Sequence, residues 1–306
     1  MQYLNLKVRL LSLLLICLSA AWLSLGAQSR LTLPELRQKI EQEFSKYPGV
    51  FAVAFRNVAT GEELLIRERE VFHAASTMKT PVMIEVYKQQ AQGKLSLSDS
   101  ILIKTEFKSI VDGSPYTLPV SSDSDSITYK QIGTKRTLAS LVYDMITVSS
   151  NLATNLIIEL VGAPNVLQTM RDLGAKDIQV RRGVEDSKAF AKGLNNSTTA
   201  YDLMLIFDKI ATGQAVSPEA SKAMIATLLD QKFNDAIPAK LPNDVKVAHK
   251  TGSITGVRHD SGIVLLPDGR KYVLVLLSKD IKDDKLTSGV MATVSEWIYR
   301  YVTQGK

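Results

Sequence analysis

The chain has 306 residues, 45% of them apolar and 22% charged with mixed signs, which suffices for one large core or two small ones and argues against wholesale disorder. Its net charge of +6 comes without the clustered Lys and Arg among aromatics that a nucleic-acid surface needs, leaving a mild bias toward anionic substrates or envelope polymers. The single cysteine, Cys17, rules out an intramolecular disulfide and a thiolate metal cluster.

Residues 1–26 carry Lys7 and Arg9, then an uncharged apolar run from Leu10 to Leu25 and small residues at Ser24, Gly26 and Ala27. This is the pattern of a secretory signal, with cleavage expected at 26/27 or 27/28. The run is shorter than the roughly 20 residues of a spanning helix, so stable membrane insertion is not expected after cleavage. Cys17 follows Ile16, which is not the small residue a lipid-attachment site wants, and it reads as one more apolar residue. Loss of Lys7 and Arg9, with no acid in residues 1–26, lowers the net charge from +6 to +4. A secreted or periplasmic location follows as the expectation.

Leu31 to Val50 place Leu36, Ile40 and Phe44 at helical spacing and stop at Pro48-Gly49. FAVAFRNVATGEELLIRERE predicts a hairpin turning at Ala59-Thr60-Gly61. HAASTMKTPV, residues 73–82, runs into a helix ended by Gly93. From Ser98 to Lys135 the pattern breaks into a Ser-, Asp- and Pro-rich stretch that predicts an exposed, largely irregular loop. Thr137 caps a helix expected to continue through SSNLATNLIIELVG, and three further helices follow at 163–174, 198–213 and 217–230. VKVAHKTGS is a strand, and SGIVLLPDGRKYVLVLLSKD gives two more around Pro267-Asp268-Gly269. TSGVMATVSEWIYRYV is a closing amphipathic helix.

This order predicts an α+β fold with a five-stranded antiparallel sheet flanked by the terminal helices. An all-helical lobe is inserted between strands 2 and 3. Residues 28–306 form one domain, with a sheet lobe of about 30–72 and 245–306 and a helical lobe of about 73–244. A cleft between the lobes is a natural site.

Three short motifs carry the chemistry. Ser76 and Lys79 share a helix face, where a lysine of lowered pKa can activate a serine; a capped helix start with an exposed lysine is the plain alternative. In Ser149-Ser150-Asn151, Ser149 can pass a proton to a leaving group and Asn151 can hold a substrate amide carbonyl; a polar stripe or a bend is the alternative. In His249-Lys250-Thr251-Gly252-Ser253, a strand edge offers a cation, two hydroxyls and a backbone N–H to a substrate carboxylate and carbonyl, unless Lys250 is an ordinary outward charge. His73, His249 and His259 lack metal-ligand spacing, so no metal or other cofactor is expected. His73 and His249 flank motifs and read as cleft residues. No Gly-x-Ser-x-Gly elbow is present, which argues against an α/β-hydrolase.

Together, Ser-x-x-Lys, Ser-x-Asn and Lys-Thr-Gly in this order resemble the class A β-lactamase family of penicillin-recognising serine enzymes, from the first helix to the last. The resemblance implies that Ser76 is the acylated nucleophile, Lys79 one of two candidate bases, and Ser149 the proton relay. It makes Asn151, Thr251, Gly252 and Ser253 the substrate-binding set beside catalytic Lys250. The backbone N–H groups of Ser76 and Ser253 would form the oxyanion hole, and Arg258 would anchor a substrate carboxylate. Two departures stand out. Ser150 replaces the family's usual aspartate. The Ω-loop segment, RRGVEDSKAFAKGLNNSTTA, is about two residues short. Counting back from NSTTA makes Glu185 the deacylating acid, with an ion pair to Arg181 or Arg182 as its alternative role. Position 189 is Ala189 where the family has a water-holding asparagine, and Asn195 is the substitute.

The implied activity is hydrolysis of a β-lactam by a monomer. A peptidase or esterase acting on peptidoglycan-like substrates, and a slow penicillin-binding protein, are the alternatives.

Overall fold

The structure, a computed structural model, describes residues 31–304. The expected secretory segment and Cys17 lie outside the described residues.

Strands β1 (Val50–Asn57) and β2 (Glu63–Ile66) come from one end of the chain. From the other end come three strands of the same sheet, at Lys246–Ile254, Val257–Leu265 and Lys271–Lys279. All five are antiparallel, and the order across the sheet is β2, β1, Lys271–Lys279, Val257–Leu265, Lys246–Ile254. The fold is the α+β architecture that the element order predicts.

Strand alternation sorts the side chains into two cores. Phe51, Val53 and Phe55 of β1 face the terminal helices, α1 (Leu33–Phe44) and a C-terminal helix at Asp284–Thr303. Helix α1 begins with a capping box, in which Thr32 and Glu35 bond each other's backbone N–H. It buries Leu36, Ile40 and Phe44, the three residues that its periodicity marks, and the Phe44 ring stacks on Phe51 at 4.7 Å. Ala52 and Ala54 face the other way, and their small size lets the buried helix Ala200–Ala211 lie against the sheet.

Between β2 and Lys246–Ile254 the chain builds the second lobe around the buried helix α2 (Lys79–Ala91), and this lobe is not all helical. β3 (Phe72–His73) pairs with Ser197–Thr198. β4 (Ser100–Leu102) pairs with Lys135–Thr137, and β5 (Glu106–Lys108) with β6 (Pro115–Thr117). The stretch from Ser98 to Lys135 is therefore organised. Its Asp and Ser side chains bond nearby backbone, as Asp125 does with the N–H groups of Ile127 and Thr128, while Ile103, Phe107 and Leu118 are buried. A composition that reads as loose loop is here a set of turn-formers hung on three apolar anchors.

The helix expected to run on from Thr137 is two helices, α3 (Leu138–Thr147) and α4 (Asn151–Val161). Ser149 between them has φ 59°, and Ser150 caps α4 by accepting the Ala153 N–H. A serine's taste for the N-cap outweighs apolar continuity here.

Candidate active site

The segment from Ala75 to Met78 is a 3-10 turn leading into α2, and neither start has a side-chain cap. The hydroxyl of Ser76 is thus not a helix cap, and Ser76 lines an open cleft. Ala75, before it, has φ 44°. Of the five described non-glycine residues with φ in the left-handed region, three (Ala75, Ser149 and Glu185) lie at this cleft, and such strain persists only where the surroundings impose it.

Lys79 is fully buried, which disposes of the exposed-lysine alternative. Its Nζ donates to the Ser149 carbonyl at 2.7 Å and to Asn151 Oδ1 at 2.9 Å, and lies 3.2 Å from Ser149 Oγ. Lys250, also fully buried, reaches the same Ser149 hydroxyl at 3.0 Å and the Thr251 carbonyl at 2.9 Å. Burial pulls Lys79 down to about 7, against the carboxylates of Asp123 and Glu185. Burial and the neighbouring charge of Lys79 hold Lys250 well below its ordinary range, against Asp260. Two ammonium ions sharing one buried hydroxyl repel, so one of the pair gives up its proton. As the free amine, Lys79 can exchange a proton with the Ser149 hydroxyl beside it.

The strand Lys246–Ile254 is the edge of the sheet, where alternate backbone groups are left unpaired. A side chain added at Gly252 would sit 3.1 Å from the Ser76 and Thr77 nitrogens, so glycine lets the strand close on the turn. Lys250, Thr251, Gly252 and Ser253 thereby meet Ser76, Ser149 and Asn151 at one cleft. Its chamber toward Thr251, Gly252 and Arg258 measures about 250 Å³ and its chamber toward Glu185 about 490 Å³. Arg258, on the neighbouring strand, lines the smaller chamber, but Asp235 holds its guanidinium.

Glu185 lines the larger chamber, exposed, and no ion pair to Arg181 or Arg182 occurs among the described residues. The Arg182 guanidinium instead bonds the carbonyls of Gly183 and Leu194 and Asn195 Oδ1. The Asn195 carboxamide oxygen is therefore already engaged, and Asn196 is spent on the backbone of Arg181 and Arg182. Ala189 is fully buried.

The three histidines have structural partners. His73 Nδ1 accepts from the Ala75 N–H, and His249 lies between Asp260 and Asn234. His259, whose pKa burial lowers to about 4, bonds the His73 carbonyl just ahead of the turn.

Sequence reading missed two acids. Asp123 accepts the N–H groups of Asn151 and Leu152 and the Tyr129 hydroxyl, and Asp125 bonds Ser150. Two loop carboxylates thus hold the turn at residues 150–152. The Asp-Ser-Asp run at 123–125 carried the signal, since such residues seek backbone N–H groups. No cluster of three or more His, Cys, Asp or Glu side chains suited to a metal occurs among the described residues.

Known proteins resemble the chain along nearly its whole described length. A family model described as "Beta-lactamase enzyme family" matches residues 35–302. The chain is 25% identical over 281 residues to the extended-spectrum β-lactamase PER-1 of Pseudomonas aeruginosa, covering 88% of this chain and 87% of that one. It is 28% identical over 270 residues to a β-lactamase of Bacillus licheniformis, with coverage of 86% and 81%. Among solved structures, a β-lactamase from Sphaerobacter thermophilus aligns with TM-score 0.77 at 26% identity over 89% of this chain and 97% of that one. A point mutant of PBP-A, solved as an acyl-enzyme complex with penicillin G, aligns with TM-score 0.76 at 26% identity over 88% and 97%.

Proposed function

The chain belongs to the β-lactamase enzyme family, and on that premise we propose an exported, class A-like serine β-lactamase that opens its substrate on Ser76 and clears it with water activated by Glu185. The observation that carries this reading is the buried chain from Lys79 through the Ser149 hydroxyl to Lys250, beside the cleft that Ser76 lines.

In this mechanism Lys79, as the free amine, takes the Ser76 proton while Oγ attacks the lactam carbonyl. Backbone N–H groups of Ser76 and Ser253 receive the developing oxyanion. Asn151 holds the substrate's side-chain amide. As the C–N bond breaks, the Ser149 hydroxyl protonates the departing nitrogen and is reprotonated from the lysine pair. Glu185 then removes a proton from water attacking the ester, Ser76 leaves with a proton, and the opened product departs.

The test is turnover of a chromogenic cephalosporin with intact-mass measurement in parallel, on wild type and Ser76→Ala. Turnover with a transient adduct in wild type, and neither in the variant, is the expected result; no adduct with any β-lactam would sink the reading. The same spectra read export, with a mature chain expected to start at Ala27 or Gln28.

One observation favours a second reading, a slow penicillin-binding protein. With Ala189 buried and the Oδ1 atoms of Asn195 and Asn196 both held by N–H groups of Arg181 and Arg182, no carboxamide oxygen of this loop is left unpartnered to share the water with Glu185. A lasting adduct in wild type would select it.

Arg258 makes a further, quantitative expectation. Asp235 competes with a substrate carboxylate for its guanidinium. Asp235→Ala is expected to lower KM for anionic penicillins about two- to fivefold with kcat unchanged, the scale of a half-exposed ion pair. Steady-state kinetics check this, and an unchanged or raised KM would remove Arg258 from the binding site.

A further inference from the structure

Glu185 has φ 62°, a conformation that a non-glycine residue keeps only under constraint, yet its own side chain is exposed. The constraint acts on its neighbours. On one side, Val184 donates its N–H to Asn155 Oδ1 at 2.7 Å, and its carbonyl accepts from Asn155 Nδ2 at 3.0 Å and from the Tyr116 hydroxyl at 3.3 Å. On the other side, the buried Asp186 carboxylate accepts the Ser109 hydroxyl at 2.9 Å, the Ile110 N–H at 3.0 Å and the Ala189 N–H at 3.0 Å. Two residues further on, Lys188 reaches Asp112 at 2.8 Å and Ser114 at 2.6 Å. Ser109, Ile110, Asp112, Ser114 and Tyr116 all belong to β5, β6 and the turn between them.

We propose that the hairpin Glu106–Thr117 is a clasp that positions Glu185 for deacylation, with Ser109, Asp186 and Tyr116 as its positioning residues. The proposal rests on Glu185 being the deacylating acid. Asn155 alone fixes only the leading side of Glu185, at Val184. The hairpin adds the trailing side through Asp186, and so determines where the carboxylate meets the acyl-enzyme's water. Acylation uses Lys79 and Ser149, which the hairpin does not bond, so the two half-reactions should respond differently to its loosening. A displacement of about 1 Å in a catalytic group costs on the order of 100-fold in rate, and removal of one hydroxyl from a clasp of several contacts should cost less.

The experiment measures acylation and deacylation separately, by time-resolved intact mass with benzylpenicillin. The chains compared are wild type, Ser109→Ala, Tyr116→Phe, Glu185→Gln and the two pairings of a clasp variant with Glu185→Gln. Each clasp variant is expected to slow deacylation about 10-fold, to acylate within about twofold of wild type, and to accumulate adduct. In the Glu185→Gln background the same substitutions should have no further effect, because the group that they position is already gone. Unchanged deacylation in both clasp variants, with Glu185→Gln slow, would overturn the clasp alone. So would an undiminished clasp effect in the Glu185→Gln background, or equal loss of both half-reactions. Deacylation of Glu185→Gln at the wild-type rate would instead overturn the underlying role of Glu185.

Discussion

Exchange of Glu185 for glutamine is expected to leave acylation of Ser76 near its wild-type rate and to slow deacylation roughly 1,000-fold, about 4 kcal/mol in barrier. Glutamine keeps the shape of the side chain and a hydrogen-bond acceptor but cannot take a proton from water. The acyl-enzyme should then persist as a single adduct while the burst of chromophore survives. Parallel mass and burst measurements separate the outcomes: if the burst itself disappears, Glu185 serves acylation as well, and Lys79 is not the sole base. The carboxylate lies close enough to act electrostatically on Lys79, so loss of its charge should also make that lysine somewhat easier to deprotonate.

The second large effect concerns Lys79. Lys79→Met retains the buried volume and removes the amine, and acylation is expected to fall by about 10²- to 10⁴-fold, the worth of a positioned general base. The wild-type pH profile tests the same assignment without a substitution. Lys79 is pulled to about 7 by burial, so it is charged below that pH and free above it. The acylation rate should therefore climb from pH 5 toward 7 and level off above. The carboxylates of Asp123 and Glu185 push this midpoint up, and the positive charge shared with Lys250 pushes the Lys250 proton off in the coupled pair. A profile flat from pH 5 to 8 in wild type would show that another group removes the Ser76 proton.

Much of this was legible in the residues. The period-two pattern of β1 carries the division between two cores, and Leu36, Ile40 and Phe44 carry the packing of α1. The motif order brought Ser76, Lys79, Ser149, Asn151 and Lys250 to one cleft as expected from it. What escaped depends on tertiary competition. Apolar periodicity runs across residues 138–161 without a gap, and only the capping chemistry of Ser150, with Asp123 holding the N–H groups of Asn151 and Leu152, breaks it. The loop from Ser98 looked unstructured because its order resides in side chain to backbone bonds and in Ile103, Phe107 and Leu118, three apolar residues too sparse for any period. The partner of Arg258 is Asp235, 23 residues away in a segment with no pattern of its own.

The placement of β1 has a consequence for how the molecule comes into being. This strand lies between β2, which arrives within a few residues, and Lys271–Lys279, which is made more than 200 residues later. Until that last strand is available, Ala52 and Ala54 on one side and Phe51, Val53 and Phe55 on the other have no completed core to enter. Such distant pairing makes closure slow, because the loop entropy is spent before the contacts form. The growing chain is thereby kept pliant for most of its synthesis, and its two cores lock together only once the C-terminal third has been made.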